Sequence, residues 1–252
     1  MPRLATASRT GWHIAEVVDT RRETPSAARI SLDVDGWPGN LAGQHLDVRL
    51  TAPDGYTSTR SYSIASSGEG ERVVLAVDRL PDGEVSPFLV DELRPGDRLE
   101  VHGPLGAYFV WQPPAAGSIG RPVQLIAGGS GVVPLAAIAR AHAEAGDATP
   151  FRLLYSVRTP ADVFFAAELE AAQRGPAPLD IEFVYTRSVP AGSDAPVGRI
   201  TRERLAAATI DAAAHPIVYV CGSTGFVEHV AAWLIDLGHD QDAIRTERYG
   251  GT

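Results

Sequence analysis

Residues 128–134 read Gly-Gly-Ser-Gly-Val-Val-Pro, between an apolar run at 122–127 and a run of helical periodicity at 135–145. Three glycines in four residues permit positive φ and remove side chains that would stand between the backbone and a nucleotide. Pro134 suits the first turn of a helix, where its missing N–H costs nothing. Strand, glycine turn and helix in this order bring a backbone close to a nucleotide's phosphates. The spacing differs from the G-x-G-x-x-G of dehydrogenases; it is Gly-Gly-x-Gly-x-x-Pro.

The pattern differs on the two sides of this region. From Trp12 to Pro104 short strands are separated by Gly/Pro turn signals, at 12–19, 28–34, 45–50, 57–65, 73–79 and 98–102. Six such runs predict an antiparallel barrel, with one helical interruption at 85–93. Residues 112–120, rich in Pro, Gly and Ala, read as a linker. Beyond it, strands at 123–127, 151–156, 181–185, 217–220 and 244–248 alternate with helices at 135–145, 162–173, 201–208 and 225–237. Alternation of this kind predicts a five-stranded parallel sheet with helices on both faces. The expected division is a β domain at 10–111, the linker, and an α/β domain at 121–252.

Composition narrows the function. The 252 residues leave room for two cores. With 22 basic against 31 acidic residues the net charge is −9, and no basic patch stands out. Nonspecific binding to nucleic acid or an anionic membrane is therefore not expected. No apolar run approaches a membrane span, and Met1–Thr6 lack an apolar signal core, so a cytoplasmic protein is expected. Cys221 is the only cysteine, which excludes an intrachain disulfide and a four-cysteine iron–sulfur site. The histidines show no metal-ligand spacing, so no metal is expected.

A second motif, Arg-Ser-Tyr-Ser, stands at 60–63. In a strand, Arg60 and Tyr62 share one face while Ser61 and Ser63 share the other. A cation and an aromatic on one face suit a ligand with both a phosphate and a flat ring. Further along come Gly83-Glu84-Val85-Ser86, Gly103-Pro104-Leu105-Gly106, the 128–134 turn, Cys221-Gly222 and Glu247-Arg248-Tyr249. In this order the six motifs resemble the ferredoxin–NADP reductase superfamily, from about Trp12 to Tyr249. The resemblance implies an antiparallel six-stranded FAD-binding barrel followed by a five-stranded parallel α/β domain for a pyridine nucleotide. It implies that Arg60 takes the flavin phosphate, that Tyr62 packs on the flavin ring and that Ser63 hydrogen-bonds near N5. Ile64, Ala65, Ser66 and Val77 would complete the flavin wall. Gly83, Val85 and Ser86 open a helix whose free N–H groups would take the pyrophosphate. Ser86 ahead of Pro87 also reads as an N-cap, and Glu84 is expected to point outward. The Arg60 motif and the 83–86 turn together favour FAD over FMN.

By the same resemblance, Gly128, Gly129, Gly131, Pro134 and Gly222 border the nicotinamide nucleotide. Arg158 and Arg187 follow the second and third parallel strands and Arg199 precedes the next helix, so the three can converge on a 2′-phosphate beside Thr186. That favours NADPH, while Asp162 and Asp194 nearby in sequence leave NADH open. Cys221 would pack beside the nicotinamide; with no paired histidine evident, it is not expected to be a nucleophile. His229 reads as surface or core. Glu247 is the nearby acid, and Tyr249 the aromatic that covers the flavin in plant-type relatives, although Gly250-Gly251-Thr252 follow it here. The implied function is a monomeric reductase in which NADPH passes hydride to FAD and the flavin gives single electrons to a separate acceptor protein. Any iron–sulfur step then belongs to another protein. A flavin or oxygen reductase without a protein partner, and a non-catalytic flavin-binding redox sensor, stay open on the sequence.

Overall fold

Alternation of buried and exposed positions builds the first half of the chain. In the computed structural model, which describes residues 11–115, 118–175 and 178–249, six strands form one antiparallel sheet. Met1–Thr6, the Gly250–Thr252 tail and part of the 112–120 linker lie outside the described residues. The strands are β1 (Gly11–Thr24), β2 (Ala27–Val34), β3 (His45–Thr51), β4 (Thr57–Ser63), β5 (Arg72–Asp78) and β6 (Arg98–Leu105), in the order β4-β3-β6-β1-β2-β5. A bridge between Ile64 and Leu75 brings the two outer strands together and curls the sheet into the expected barrel. Ile30, Leu32, Leu46, Val48, Leu75 and Val101 fill its interior. The expected helix at 85–93 shortens to one turn, Phe88–Glu92, closed by the Leu93 N–H on the Phe88 carbonyl at 3.0 Å. Pro87 enters it and Pro95 follows shortly after, which leaves no room for more.

Five parallel strands follow: β7 (Val123–Gly128), β8 (Phe151–Val157), β9 (Asp180–Tyr185), β10 (Ile217–Ser223) and β11 (Ile244–Tyr249). Their order is β11-β10-β7-β8-β9, joined through α1 (Val132–Ala145), α2 (Ala166–Arg174), α3 (Arg202–Ala208) and α4 (Thr224–Asp236). The chain steps outward from β7 to β9, then returns to the other side of β7 as β10. Crevices open where strand order reverses in this way, and they hold ligands. Helix α2 begins at Ala166 rather than at 162. The cause is Phe165, a non-glycine residue at φ 57°, whose left-handed backbone cannot extend a helix toward its N-terminus.

Phe165 belongs to a network that joins the two domains. Arg29 of β2 donates Nε to Glu23 Oε2 at 2.7 Å and Nη1 to Glu168 Oε1, on α2, at 2.5 Å. Glu168 also accepts from Arg140 of α1, and Arg140 donates Nη1 to the Ala65 carbonyl at 2.5 Å. The free oxygen of Glu23 accepts the Phe165 N–H at 2.5 Å, while the Arg29 guanidinium lies 4.6 Å over the Phe165 ring. Burial works against the Glu168 carboxylate, yet Arg29 and Arg140 outweigh it and hold its pKa below the ordinary range. On the other side of the seam, Tyr219 Oη and Arg245 Nη1 both donate to the Val110 carbonyl, at 2.8 and 2.7 Å.

His142 in the last turn of α1 is buried among aromatics. Its ring stacks on Phe151 at 3.8 Å and meets Trp111 edge-on at 5.8 Å. Among the described residues its Nε2 has no hydrogen-bond partner. Burial pushes its pKa down, so the folded state holds it neutral while the unfolded chain protonates it near the ordinary 6.5. This contribution is complete above pH 6.5 and is lost as pH falls from there through the lowered folded value. Urea midpoints measured between pH 7 and pH 5 should decline more steeply for the parent protein than for His142→Leu; parallel curves would contradict the assignment.

Candidate active site

The two ends of the reversed sheet meet at the glycine turn. Cys221 on β10 pairs in register with Ala127 of β7 and Glu247 of β11, and Ser223 pairs with Tyr249. Gly131 lies so close to β10 that a Cβ there would sit 2.2 Å from the Cys221 carbonyl oxygen. Gly128 and Gly222 flank Phe226, whose ring would be 2.9 and 2.6 Å from Cβ atoms at those positions. Gly129 has φ +56° and faces the Tyr249 hydroxyl. Gly128, Gly131 and Gly222 thus let segments of the protein itself pack closely, a steric demand beyond the access for a ligand that the sequence suggested. Pro134 sits in the first turn of α1, as expected.

On one side of the turn a pocket of about 270 Å³ opens at the domain seam. The barrel supplies His45, Ser61 and Ser63; the α/β domain supplies Ser130, Cys221, Glu247 and Tyr249 among others. His45 lies directly opposite Ser63 in the β3–β4 register, and its Nδ1 is 3.6 Å from Glu247 Oε1 across the seam, an ion pair when His45 is protonated. Glu247 raises the His45 pKa against the opposing effect of burial, with Asp47 adding to the rise. Burial pushes the Cys221 thiol far up, so it stays protonated. Tyr249 donates its hydroxyl to the Gly128 carbonyl at 2.5 Å. His45 carried no signal in the sequence beyond its place in a strand. Its position follows from the register of the hairpin that leads to Ser63.

On the other side a cleft of about 680 Å³ runs along the carboxyl ends of β7, β8 and β9. Gly128, Gly129, Arg158, Thr186 and Arg199 line it together with Tyr249. Arg187 does not line the cleft; it is exposed, and its backbone N–H donates to the Arg158 carbonyl at 2.9 Å. The three arginines therefore do not all converge there. His229, read as surface or core, lines the cleft with Trp233 one turn further along α4. Its Nδ1 approaches the Gly225 carbonyl at 2.5 Å, which fixes that nitrogen as donor and turns Nε2 away from the helix. Asp162 also borders the cleft, accepting from the Thr159 hydroxyl at 2.7 Å.

The 60–66 segment keeps its expected strand faces but not all its expected partners. Tyr62 is half-buried, and burial raises its pKa to about 12. Ile64, Val77 and Val85 are core side chains, so only their backbone is available to a ligand. Ser66 Oγ accepts the Val74 N–H at 3.0 Å, and the Ala65 carbonyl is taken by Arg140. Ser86 does not cap the helical turn; its buried hydroxyl accepts the Leu80 N–H at 3.0 Å and folds the 80–86 loop, against which Gly83 packs. Glu84 does not point away. It closes on Arg60, with Nη2 to Oε2 at 3.0 Å, because Ser58 and Tyr56 also donate to its carboxylate.

Comparison with known proteins matches this two-part architecture. The oxidoreductase FAD-binding domain matches residues 15–110, and the oxidoreductase NAD-binding domain matches residues 125–232. Ferredoxin–NADP reductase B of Sorangium cellulosum is 34% identical over 245 residues, covering 93% of this chain and 96% of that protein. The chain belongs to the ferredoxin–NADP reductase superfamily. Methane monooxygenase component C of Methylosinus trichosporium is 33% identical over 150 residues, 60% of this chain and 40% of that protein. The chain spans about half the length, or less, of several curated relatives of the superfamily. The FAD/NAD-binding domain of a Vibrio cholerae nitric oxide dioxygenase shares the fold at TM-score 0.82 and 23% identity, over 96% of this chain and 100% of that one. No helix among the described residues is long and apolar enough to cross a membrane.

The tightest constraint at the glycine turn of this superfamily member is the contact of Gly131 with β10. Gly131→Ala should destabilise the fold by about 2 kcal/mol or more, since a Cβ at 2.2 Å forces the sheet and α1 apart. Gly225→Ala, with nothing within 4 Å, should be tolerated. Chemical denaturation of both variants checks the contrast, and equal stabilities would contradict it.

Proposed function

We propose that this chain is an NADPH-dependent, FAD-containing reductase that passes single electrons to a separate acceptor protein. The observation that carries the reading is that the cleft and the seam pocket share a wall, made of Ser130 and Tyr249. A nucleotide lying along the strand ends would have its reactive end directed at the seam. Bound FAD would supply the chemistry, accepting two electrons from the nicotinamide and returning them one at a time.

The residues of the chain do the placing. Tyr62 offers a ring face on the barrel side and Arg60 a cation for the phosphate. Ser63 offers a hydroxyl to the seam pocket, and Glu247 favours the protonated form of His45 beside it. Cys221 contributes a small neutral thiol that fills the pocket without reacting. Tyr249 closes the wall between the two spaces, and its hydrogen bond to Gly128 must break for the wall to open. Ser63, Ser130, Cys221 and Tyr249 fit a flavin at the seam because they present hydroxyls, a thiol and an aromatic ring around a space that two domains enclose. A separate acceptor protein is consistent with relatives such as methane monooxygenase component C, which is one component of a larger system.

Preference for NADPH rests on Arg158 and Arg199, which line the cleft beside Thr186 and have no ion-pair partner among the described residues. Arg187 stands outside the cleft and takes a lesser part. Arg199→Ala should raise KM for NADPH far more than for NADH. A single charge-assisted contact of about 1.5–3 kcal/mol corresponds to roughly 10- to 150-fold. The maximal reduction rate should change little, because a remote phosphate contributes mainly uniform binding. An equal effect on both nucleotides, or a parent protein that prefers NADH, would overturn the NADPH assignment.

A further inference from the structure

The cation assigned to the flavin phosphate is already occupied. Arg60 Nη2 donates to Glu84 Oε2 at 3.0 Å, and Nη1 donates to the Thr59 carbonyl at 2.8 Å. Ser58 Oγ donates to the same Glu84 oxygen at 2.8 Å, and Tyr56 Oη donates to the other at 3.3 Å. Three donors from β4 and the turn before it therefore converge on one anionic group. This is an anion-binding constellation, and a residue of the chain's own 80–86 loop fills it.

Glu84 cannot share Arg60 with a pyrophosphate at no cost. A phosphate approaching the guanidinium meets a carboxylate of like charge that holds one of the two terminal nitrogens needed for a forked contact. The base of the loop is fixed, since buried Ser86 ties it to the Leu80 N–H, and a Cβ on Gly83 would come within 2.9 Å of the Ser86 hydroxyl. The Glu84 side chain itself is about half exposed, so rotation into solvent is open to it without moving the loop.

We propose that Glu84 is an intramolecular competitor for the flavin phosphate and sets how tightly this chain holds FAD. The inference rests on the reading of Arg60 as the phosphate ligand. Each flavin that binds through Arg60 displaces the Glu84 carboxylate, so retention is a balance between two anions for one cation. Removing the charge of Glu84 while keeping its size tips that balance toward the flavin.

The test is flavin binding to the full chain after its flavin has been stripped, followed by fluorescence quenching and ultrafiltration. The parent, Glu84→Gln, Glu84→Ala and Arg60→Ala are compared, with far-UV circular dichroism confirming that each is folded. Both Glu84 variants should bind FAD more tightly, by about two- to fivefold, the equivalent of one exposed ion pair released. Arg60→Ala should bind FAD more weakly. Riboflavin, which lacks phosphate, should bind the parent and Glu84→Gln equally. If Arg60→Ala weakens FAD while neither Glu84 variant tightens it, Glu84 serves to orient Arg60 and the inference fails alone. If riboflavin gains as much as FAD, phosphate competition is wrong. If Arg60→Ala leaves FAD affinity unchanged, the assignment of Arg60 falls and takes this inference with it.

Discussion

Arg29 sits between Glu23 of its own barrel and Glu168 of the α/β domain, with the Phe165 ring beneath its guanidinium. Burying such charges costs several kcal/mol per ion unless each is paired and hydrogen-bonded. Here each is paired, and Arg140 completes the set by joining Glu168 to the Ala65 carbonyl at the end of the barrel motif. Phe165 holds a left-handed backbone that costs a non-glycine residue about 1–3 kcal/mol. Its N–H bond to Glu23 and the cation over its ring offset that strain. A greasy interface would tolerate sliding; one built from matched charges and a strained backbone favours a single docking. The seam pocket depends on that choice, because Ser63 and Cys221 come from opposite domains. Reacting groups need placement to within a fraction of an ångström, so the interface is part of the site.

The glycine turn applies the same logic at shorter range. Gly131 lets α1 begin against the end of β10, and Gly128 and Gly222 receive Phe226. These contacts align the carboxyl ends of β7 and β10, and the register of β10 with β11 puts Cys221 next to Glu247. Charge is then distributed in a useful way. The cleft carries Arg158 and Arg199, suited to a phosphate, while the pocket behind Tyr249 holds a protonated thiol and the His45–Glu247 contact that spans the domains.

Most of the framework was legible in the sequence because it is written in local patterns. Alternating short runs gave the barrel, and apolar runs followed by helical periodicity gave the parallel sheet, each to within a few residues. The exceptions have local causes. Phe165 delays α2 through a backbone angle that no composition reports, and the polar stretch Arg21-Arg22-Glu23 hides the far end of β1, where pairing to β2 continues. The site was partly legible. Ser63, Cys221, Glu247 and Tyr249 come together as their motifs suggested. His45, His229 and the closure of Glu84 on Arg60 were not, since each depends on strand register or on a contact between segments distant in sequence. The three arginines show the same limit. Position after a strand does not fix which way a side chain turns, and Arg187 turns away from the cleft that Arg158 and Arg199 line.

The account stands or falls on electrons crossing from the cleft to the seam. The direct measurement is anaerobic rapid mixing of the purified, FAD-loaded protein with NADPH while the flavin absorbance is followed, and then mixing with a one-electron acceptor. The account predicts one FAD per chain, bleaching in a single fast phase, and reoxidation by the one-electron acceptor much faster than by oxygen. A protein that holds FAD but is not bleached by either reduced nicotinamide nucleotide would contradict it.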